Sequence, residues 1–411
     1  MKRKLIQQMR NEWRSNIWMC VELIITGLVL WAIFSTFLFL YHVYQEPEGY
    51  DLTEIYVGWA GEVSEDASTY TPYPDSLHNQ LTDYETLLTN LRNNPYVESV
   101  GGGNNAMPYS FNYSGNMLAA DINGERQQYG GNLRHMTPEM IRTIRLTGVN
   151  GETTEELAQM IENGQTILSL FEDSRFNAKP LEWRGRDVFW NYDSTRIEHV
   201  GAVIKGIRRS DYEPIFDGMM IMKTPSTWVP DQVAIRVKPG KGADFMASLK
   251  AEDLEFGNVY LSNLSSIEQM RDRAHMNIND TVSTLIVSAI FVLTAVFLGF
   301  LGSFWFRTQQ RVPELALRRV NGATRGDLFR RLLGEGMILL AISLPFVAVL
   351  GYTLLSNVDL SSELGMNVSS GLSWGGLPCA ILALAFMIAA GLTWPALKAM
   401  KVNPAEALKD Q

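Results

Sequence analysis

Charged and helix-capping residues crowd into one short stretch of the sequence, Pro313 to Arg331, and their chemistry is recognition rather than bond breaking. Glu314, Leu315, Leu317, Arg318, Arg319 and Val320 precede Asn321-Gly322-Ala323, an order that reads as a short helix ended by residues tolerant of left-handed backbone. Leu315, Leu317 and Val320 are expected on one face, Arg318 and Arg319 exposed, and Thr324 at the cap of a second helix. A basic helix with an apolar face suits insertion into a groove of a partner protein. The plainer reading is a basic loop that marks one side of a membrane.

Side chains that could make or break bonds are not grouped. His42, His78, His135, His199 and His275 are scattered, with no H-E-x-x-H, no cysteine pair and no G-x-S-x-G, so no independent catalytic site is expected. No Gly-x4-Gly-Lys-Ser/Thr loop occurs, which excludes ATP hydrolysis of the P-loop kind on these residues. The run Gly101-Gly102-Gly103 lacks the following lysine and is expected to be a flexible turn. Cys20 and Cys379 both sit in apolar surroundings, so a disulfide framework and a cysteine metal site are excluded.

The elements that must hold the basic stretch are hydrophobic. The 411 residues are 46% hydrophobic and 19% charged, an ordinary average that conceals four apolar blocks near Ile17 to Tyr41, Val282 to Phe306, Met337 to Leu355 and Leu377 to Trp394. Each has about the 20 residues a helix needs to cross the hydrocarbon core. The first is too long for the core of a signal peptide and is read as an uncleaved anchor.

Charge partition orients these helices. Five basic residues precede the first block against Glu12 alone, and residues 307–332 carry seven arginines against Glu314 and Asp327. The segment from Asn357 to Ser373 has no Lys or Arg. The positive-inside rule then places both termini and the 307–332 loop in the cytoplasm and residues 45–280 outside. That outer region carries 20 basic against 35 acidic residues, which argues against nucleic acid as a partner.

Leu5, Ile6, Met9, Trp13 and Ile17 recur at helical spacing among basic residues, so residues 1–16 are expected to form an amphipathic helix in the inner interface. The expected layout continues with membrane helices over 17–44, 281–306, 333–356 and 374–396, a short external loop over 357–373 and a cytoplasmic tail over 397–411. The outer domain reads as α+β. Two strand-helix-strand units, over 45–104 and 231–264, predict a split βαβ sandwich. Between them, 105–230 is expected to be a mostly β insertion. From Ser265 the positions Ile267, Met270, Ala274 and Ile278 run at helical spacing into the second block, predicting one helix of about 40 residues whose 265–280 portion is a stalk.

Three further features are structural in the first instance. Glu22 and Glu335 are shallow intramembrane acids, read as pairing groups, Glu335 with Arg331, against the alternative of proton coupling. Ala295, Gly299 and Ser303, and Ala385, Ala389 and Thr393, form rows of small residues that permit close helix packing. Asn403, Pro404 and Glu406 make a capping box for a short terminal helix that contains Leu408.

Four membrane helices with a large domain after the first, the loop Glu314-Leu-Ala-Leu-Arg-Arg-Val-Asn-Gly-Ala and the ending Asn403-Pro-Ala-Glu-Ala-Leu resemble the FtsX-like permease family, in its MacB-type ABC transporter branch. The loop is similar to the family's E-I-G-I-R-R-A-x-G-A pattern. Glu335 falls where the family has Leu-x-Glu-Ala, with Gly336 in place of the alanine. The resemblance implies an inner-membrane permease of bacteria with a porter-like split βαβ piece and an inserted sabre-like β piece outside. It further implies a second permease subunit, most simply a homodimer, and a separate ABC ATP-binding subunit docked on Glu314 to Ala323. ATP and Mg²⁺ are then expected on that partner and no cofactor on this chain. A periplasmic adaptor or envelope protein is a further implied partner. The implied activity is efflux by mechanotransmission, in which the stalks carry motion to the outer domains. Two alternatives stay open: a regulator of an envelope enzyme or signalling partner, and a lipoprotein-releasing permease.

Overall fold

The computed structural model describes residues 13–45, 49–74, 78–110, 112–171, 178–209, 211, 218–355 and 374–399. The chain divides into two compact units, one of residues 46–278 and one of residues 1–45 with 279–411. The expected helix over 1–16 lies largely outside the described residues, as do the 357–373 loop and the motif Asn403, Pro404, Glu406 and Leu408.

The 46–278 unit is built on an eleven-stranded sheet. Its first part uses β1 (Ile55–Glu62), β2 (Val97–Asn104), β9 (Gln232–Val237), the two-residue β10 (Glu255–Phe256) and β11 (Val259–Ser266). Their order is β10-β11-β1-β9-β2, and each neighbour is antiparallel. Helices α2 (Gln80–Arg92) and α6 (Gly242–Ser248) each connect one pair of these strands. In β9 the period of two sorts the side chains: Val233, Ile235 and Val237 pack with Leu87 and Leu91 of α2 on one face, and Ala234 joins the cluster on the other.

The inserted part contains a ring. Strands β3 (Gly115–Ile122), β4 (Glu125–Met136), β5 (Thr166–Ser169), β6 (Asp187–Trp190), β7 (Asp193–Ile204) and β8 (Gly218–Lys223) pair in the order β4-β3-β6-β7-β5-β8, and β8 returns to β4. Closure leaves these described strands without a free edge. Tyr129, Leu118, Val188, Val200 and Met220 fill the interior, with Trp183 from the short helix α5 (Pro180–Trp183). Strands β3, β4 and β5 supply half of this ring. The β3–β4 hairpin turns at Asn123-Gly124, with φ of 54° and 82°, a sequence signal of a tight hairpin.

Two short helices pack beneath the sheet. Thr137 accepts a hydrogen bond from Met140 N and Pro138 opens α3 (Pro138–Ile144), while Thr153 and Glu156 form a capping box on α4 (Thr154–Glu162). Gly101 to Gly103 is not the expected turn but lies within β2. A Cβ on Gly101 would stand 2.3 Å from Met140 N, and one on Gly102 would stand 2.1 Å from the Tyr84 hydroxyl. The glycines are there because α3 and α2 press against the strand.

The other unit is helical: α1 (Trp13–Gln45), α7 (Ile267–Gln310, from Asn279 onward), α8 (Val312–Val320), α9 (Arg325–Leu355) and α10 (Gly376–Ala399). Four of these are long and apolar enough to cross a membrane, over Ile17–Gln45, Val282–Gln310, Gly326–Thr353 and Gly376–Thr393. Helix α7 runs for 44 residues with no Gly or Pro before Gly299. Helix α9 continues through Pro345. Gly27 and Gly351 are two of the small residues at which neighbouring helices press together. Cβ atoms there would stand 2.8 Å from Val347 Cγ2 and 2.1 Å from Trp31 Cζ3. The small-residue rows picked from sequence behave differently: Ala295 and Gly299 are exposed, and Ala385 and Ala389 are half-buried.

Candidate functional site

The site forms where α7 gives way to α8. Arg311 is the single residue between them; its N–H donates to Thr308 O at 3.2 Å, and its own carbonyl accepts from Leu315 N at 2.9 Å to start the new helix. Pro313, in the first turn of α8, lacks an N–H where none would have a partner. At the other end Gly322 adopts φ +91°, and Ala323 N donates to Arg318 O at 3.0 Å, the six-to-one bond of a Schellman cap. Helix α9 then opens on a capping box: Asp327 N donates to Thr324 Oγ1 at 3.2 Å and Thr324 N donates to Asp327 Oδ2 at 3.1 Å.

Leu315, Leu317 and Val320 do not share a face as expected. Leu315 is 4% exposed in the apolar cluster with Leu328, Leu332 and Met19, whereas Leu317 and Val320 are 54% and 63% exposed. The reason is the helical period: 317 and 320 lie three apart and project together, while 315 turns inward. Asn321 and Gly322 are exposed beside them, and Ala323 is half-buried. Helix α8 therefore has one leucine fixing it to the bundle and an outer surface of two aliphatic side chains with charged neighbours.

Charge ties α8 to its surroundings. Arg318 Nη2 and Nε donate to Glu314 Oε1 at 2.8 and 3.0 Å, an i,i+4 pair along α8. Arg331 Nη2 lies 4.0 Å from the same oxygen, and Arg331 Nε lies 3.6 Å from Glu335 Oε1. Arg311 Nη1 donates to Glu335 Oε2. Glu335 is 4% exposed and Arg311 9%. The pairing of Glu335 with Arg331 is thus present, but its direct hydrogen bond is to Arg311, which stands at a helix break outside any motif and carries no signal of this role in the sequence.

Glu22 is the second membrane acid. Ser303 Oγ donates to its two carboxylate oxygens at 3.0 and 3.3 Å, and a Cβ on Gly299 would lie 3.7 Å from Oε1. Of the row Ala295, Gly299 and Ser303, it is Ser303 that meets α1, through this hydrogen bond.

The 46–278 unit has a polar centre of its own. Asp211 is buried; it accepts from Tyr109 OH at 3.0 Å and from Arg271 Nε, and His275 Nε2 lies 3.3 Å away. Burial pushes the His275 imidazole below its usual range, and Arg271 adds to that effect against the pull of Asp211. An adjoining cleft of about 280 Å³ is lined by Tyr50, Asp51, Tyr109, Glu268 and Arg271 among others. Most of its polar groups are engaged by the protein itself: Asp51 accepts from Thr53 N and Arg145, and Tyr50 OH donates to Arg208 O. Among the described residues no group of three or more His, Cys, Asp or Glu is placed to hold a metal ion.

Four long apolar helices make this a membrane protein. Residues 285–404, which include α8 and the ionic cluster, match the family model described as FtsX-like permease C-terminal. Among curated proteins none matches the sequence. Half of the chain aligns with the whole of the extracellular domain of the noncanonic ABC-type transporter YknZ from Gram-positive bacteria, at 12% identity and a TM-score of 0.31. A likeness of that size fixes neither the fold nor the activity of residues 46–278.

Proposed function

We propose that the chain is the permease subunit of an ABC transporter of the MacB-like type, coupled to a partner ATPase through α8. The observation that carries this reading is the position of α8: it lies inside the FtsX-like permease C-terminal match and turns Leu317 and Val320 outward beside the Glu314–Arg318 pair. Exposed aliphatic side chains ringed by charge are what a short helix presents to a groove in another protein. The 411 residues contain no phosphate-binding loop, and in this reading ATP and Mg²⁺ are held by the partner.

The arginine-rich stretch 307–332 supports a reading in which α8 lies on the cytoplasmic side of the inner membrane and residues 46–278 lie outside. In this reading β11-β1-β9-β2 with α2 and α6 is the porter-like split βαβ piece, the strand ring is the sabre-like insertion, and residues 267–280 of α7 are the stalk. Two permease chains side by side would convert ATP-driven closure of the partner subunits into movement of the outer domains, and so displace an exported substrate. Glu314, Leu317, Arg318, Arg319, Asn321 and Gly322 would form or shape the contact.

Co-purification with ATP-binding proteins encoded nearby, with hydrolysis measured in the presence and absence of the chain, tests the proposal. Stable association with altered hydrolysis supports it. Recovery of an envelope hydrolase or an acylated protein in place of an ATPase would redirect the assignment.

A further inference from the structure

The ionic cluster beneath α8 does more than neutralise buried charge. Glu335 sits one helical turn beyond Arg331 on α9 and is nearly sealed from solvent, yet it is flanked by two guanidinium groups from different elements. Arg311 belongs to the joint between α7 and α8, and Arg331 reaches from Glu335 to Glu314 on α8 itself. Glu314 is held in turn by Arg318. The chain of contacts thus runs from the end of α7 through α9 to the exposed side of α8. Leu315 and Val312 add apolar contacts of α8 with the bundle.

A carboxylate in this position is poorly replaced by water. Deleting it removes the hydrogen-bonded counter-charge of Arg311 and one of the two carboxylates beside Arg331, a larger cost than loss of a surface pair. The three elements are therefore constrained to move together.

We propose that Glu335 is a positioning residue: held between Arg311 and Arg331, it clamps α8 to α7 and α9, so that a displacement imposed on α8 moves the ends of both membrane helices as one body. The clamp rests on the reading of α8 as the partner-binding helix for its functional meaning, but its mechanical part does not.

Two readouts on the full-length chain separate these parts. Hydrogen exchange of the amides in 312–320, measured on the purified chain alone, reads the clamp. In Glu335→Gln these amides should exchange at least about tenfold faster, while the amides of α1 and α10 keep their protection. Stimulated hydrolysis by a co-purified ATP-binding subunit reads coupling, and should fall by about tenfold with association retained. Arg311→Gln should produce the same pair of changes, and the double variant should be no worse than either single one, because both remove one contact. Arg311→Lys, which keeps the charge, should recover part of the protection even if Glu335→Gln folds poorly.

Unchanged exchange in 312–320 for both Glu335→Gln and Arg311→Gln overturns the clamp. Faster exchange with hydrolysis fully stimulated overturns its role in coupling. If the wild-type chain binds no ATP-binding subunit, the transporter reading fails and the exchange experiment still decides the clamp.

Discussion

The hydroxyl of Ser303 on α7 donates to the carboxylate of Glu22 on α1 at 3.0 Å. In a membrane interior this bond selects which face of α7 meets α1, because an acid without a donor would have to be neutralised or drawn to the interface. Ser303→Ala should lower the stability of the detergent-solubilised chain by about 0.6 to 2 kcal/mol, the range for interhelical hydrogen bonds in membranes. Glu22→Gln keeps an acceptor and should lose less. Thermal unfolding of the two variants checks the order; equal losses would show that the charge, not the bond, is what α1 needs.

Gly351 of α9 lies against the ring of Trp31 of α1. A methyl group there would lie 2.1 Å from Cζ3 of Trp31, which is fully buried. Gly351→Ala should therefore destabilise by about 1 to 3 kcal/mol through overpacking. Trp31→Phe on the same background removes the obstructing ring and should recover part of the loss, as read by unfolding temperature.

Gly322 has open space around it, so only its φ of +91° resists a side chain. Gly322→Ala should cost about 1 kcal/mol at the end of α8 with little effect on global unfolding. Faster hydrogen exchange confined to the amides near Ala323 would register it.

Two imidazoles in the 46–278 unit, His135 and His275, are pushed by burial below their usual value of about 6.5. The folded state then binds fewer protons than the unfolded state in the window just below pH 6.5, so stability should decline as the pH falls through it. Denaturation between pH 7.5 and 5 measures the slope. His275→Gln and His135→Gln should each flatten it. Asp231, whose carboxyl is raised by burial, has the opposite sign and acts above its ordinary 3.8, so the difference between wild type and the histidine variants isolates the imidazole contribution.

Much of this architecture is legible in local pattern. The strand at Gln232 to Val237 follows from a run of β-branched residues, the capping box of Thr153 and Glu156 from its spacing, and the apolar blocks from composition. Contacts between distant segments were not legible. The Gly101 to Gly103 run reads as a turn until α3 is seen pressed on it, and Arg311 is anonymous until α9 brings Glu335 beside it. Asp211 and His275 lie 64 positions apart, and nothing in either neighbourhood announces the other. The hairpin at Asn123-Gly124 is different: the Asn-Gly pair is itself a local signal of a tight turn.

The outward pair on α8 offers the most direct test of the transporter assignment. Leu317→Glu and Val320→Glu place charges on exposed positions, where neither packing nor the ionic cluster is disturbed. Co-purification of these variants with the ATP-binding subunit that the wild-type chain retains is the decisive measurement. Loss of association by at least about tenfold, with unchanged thermal stability, is the expected result for a helix buried in a partner's groove. Undiminished association of both variants would contradict the placement of the ATPase contact on α8.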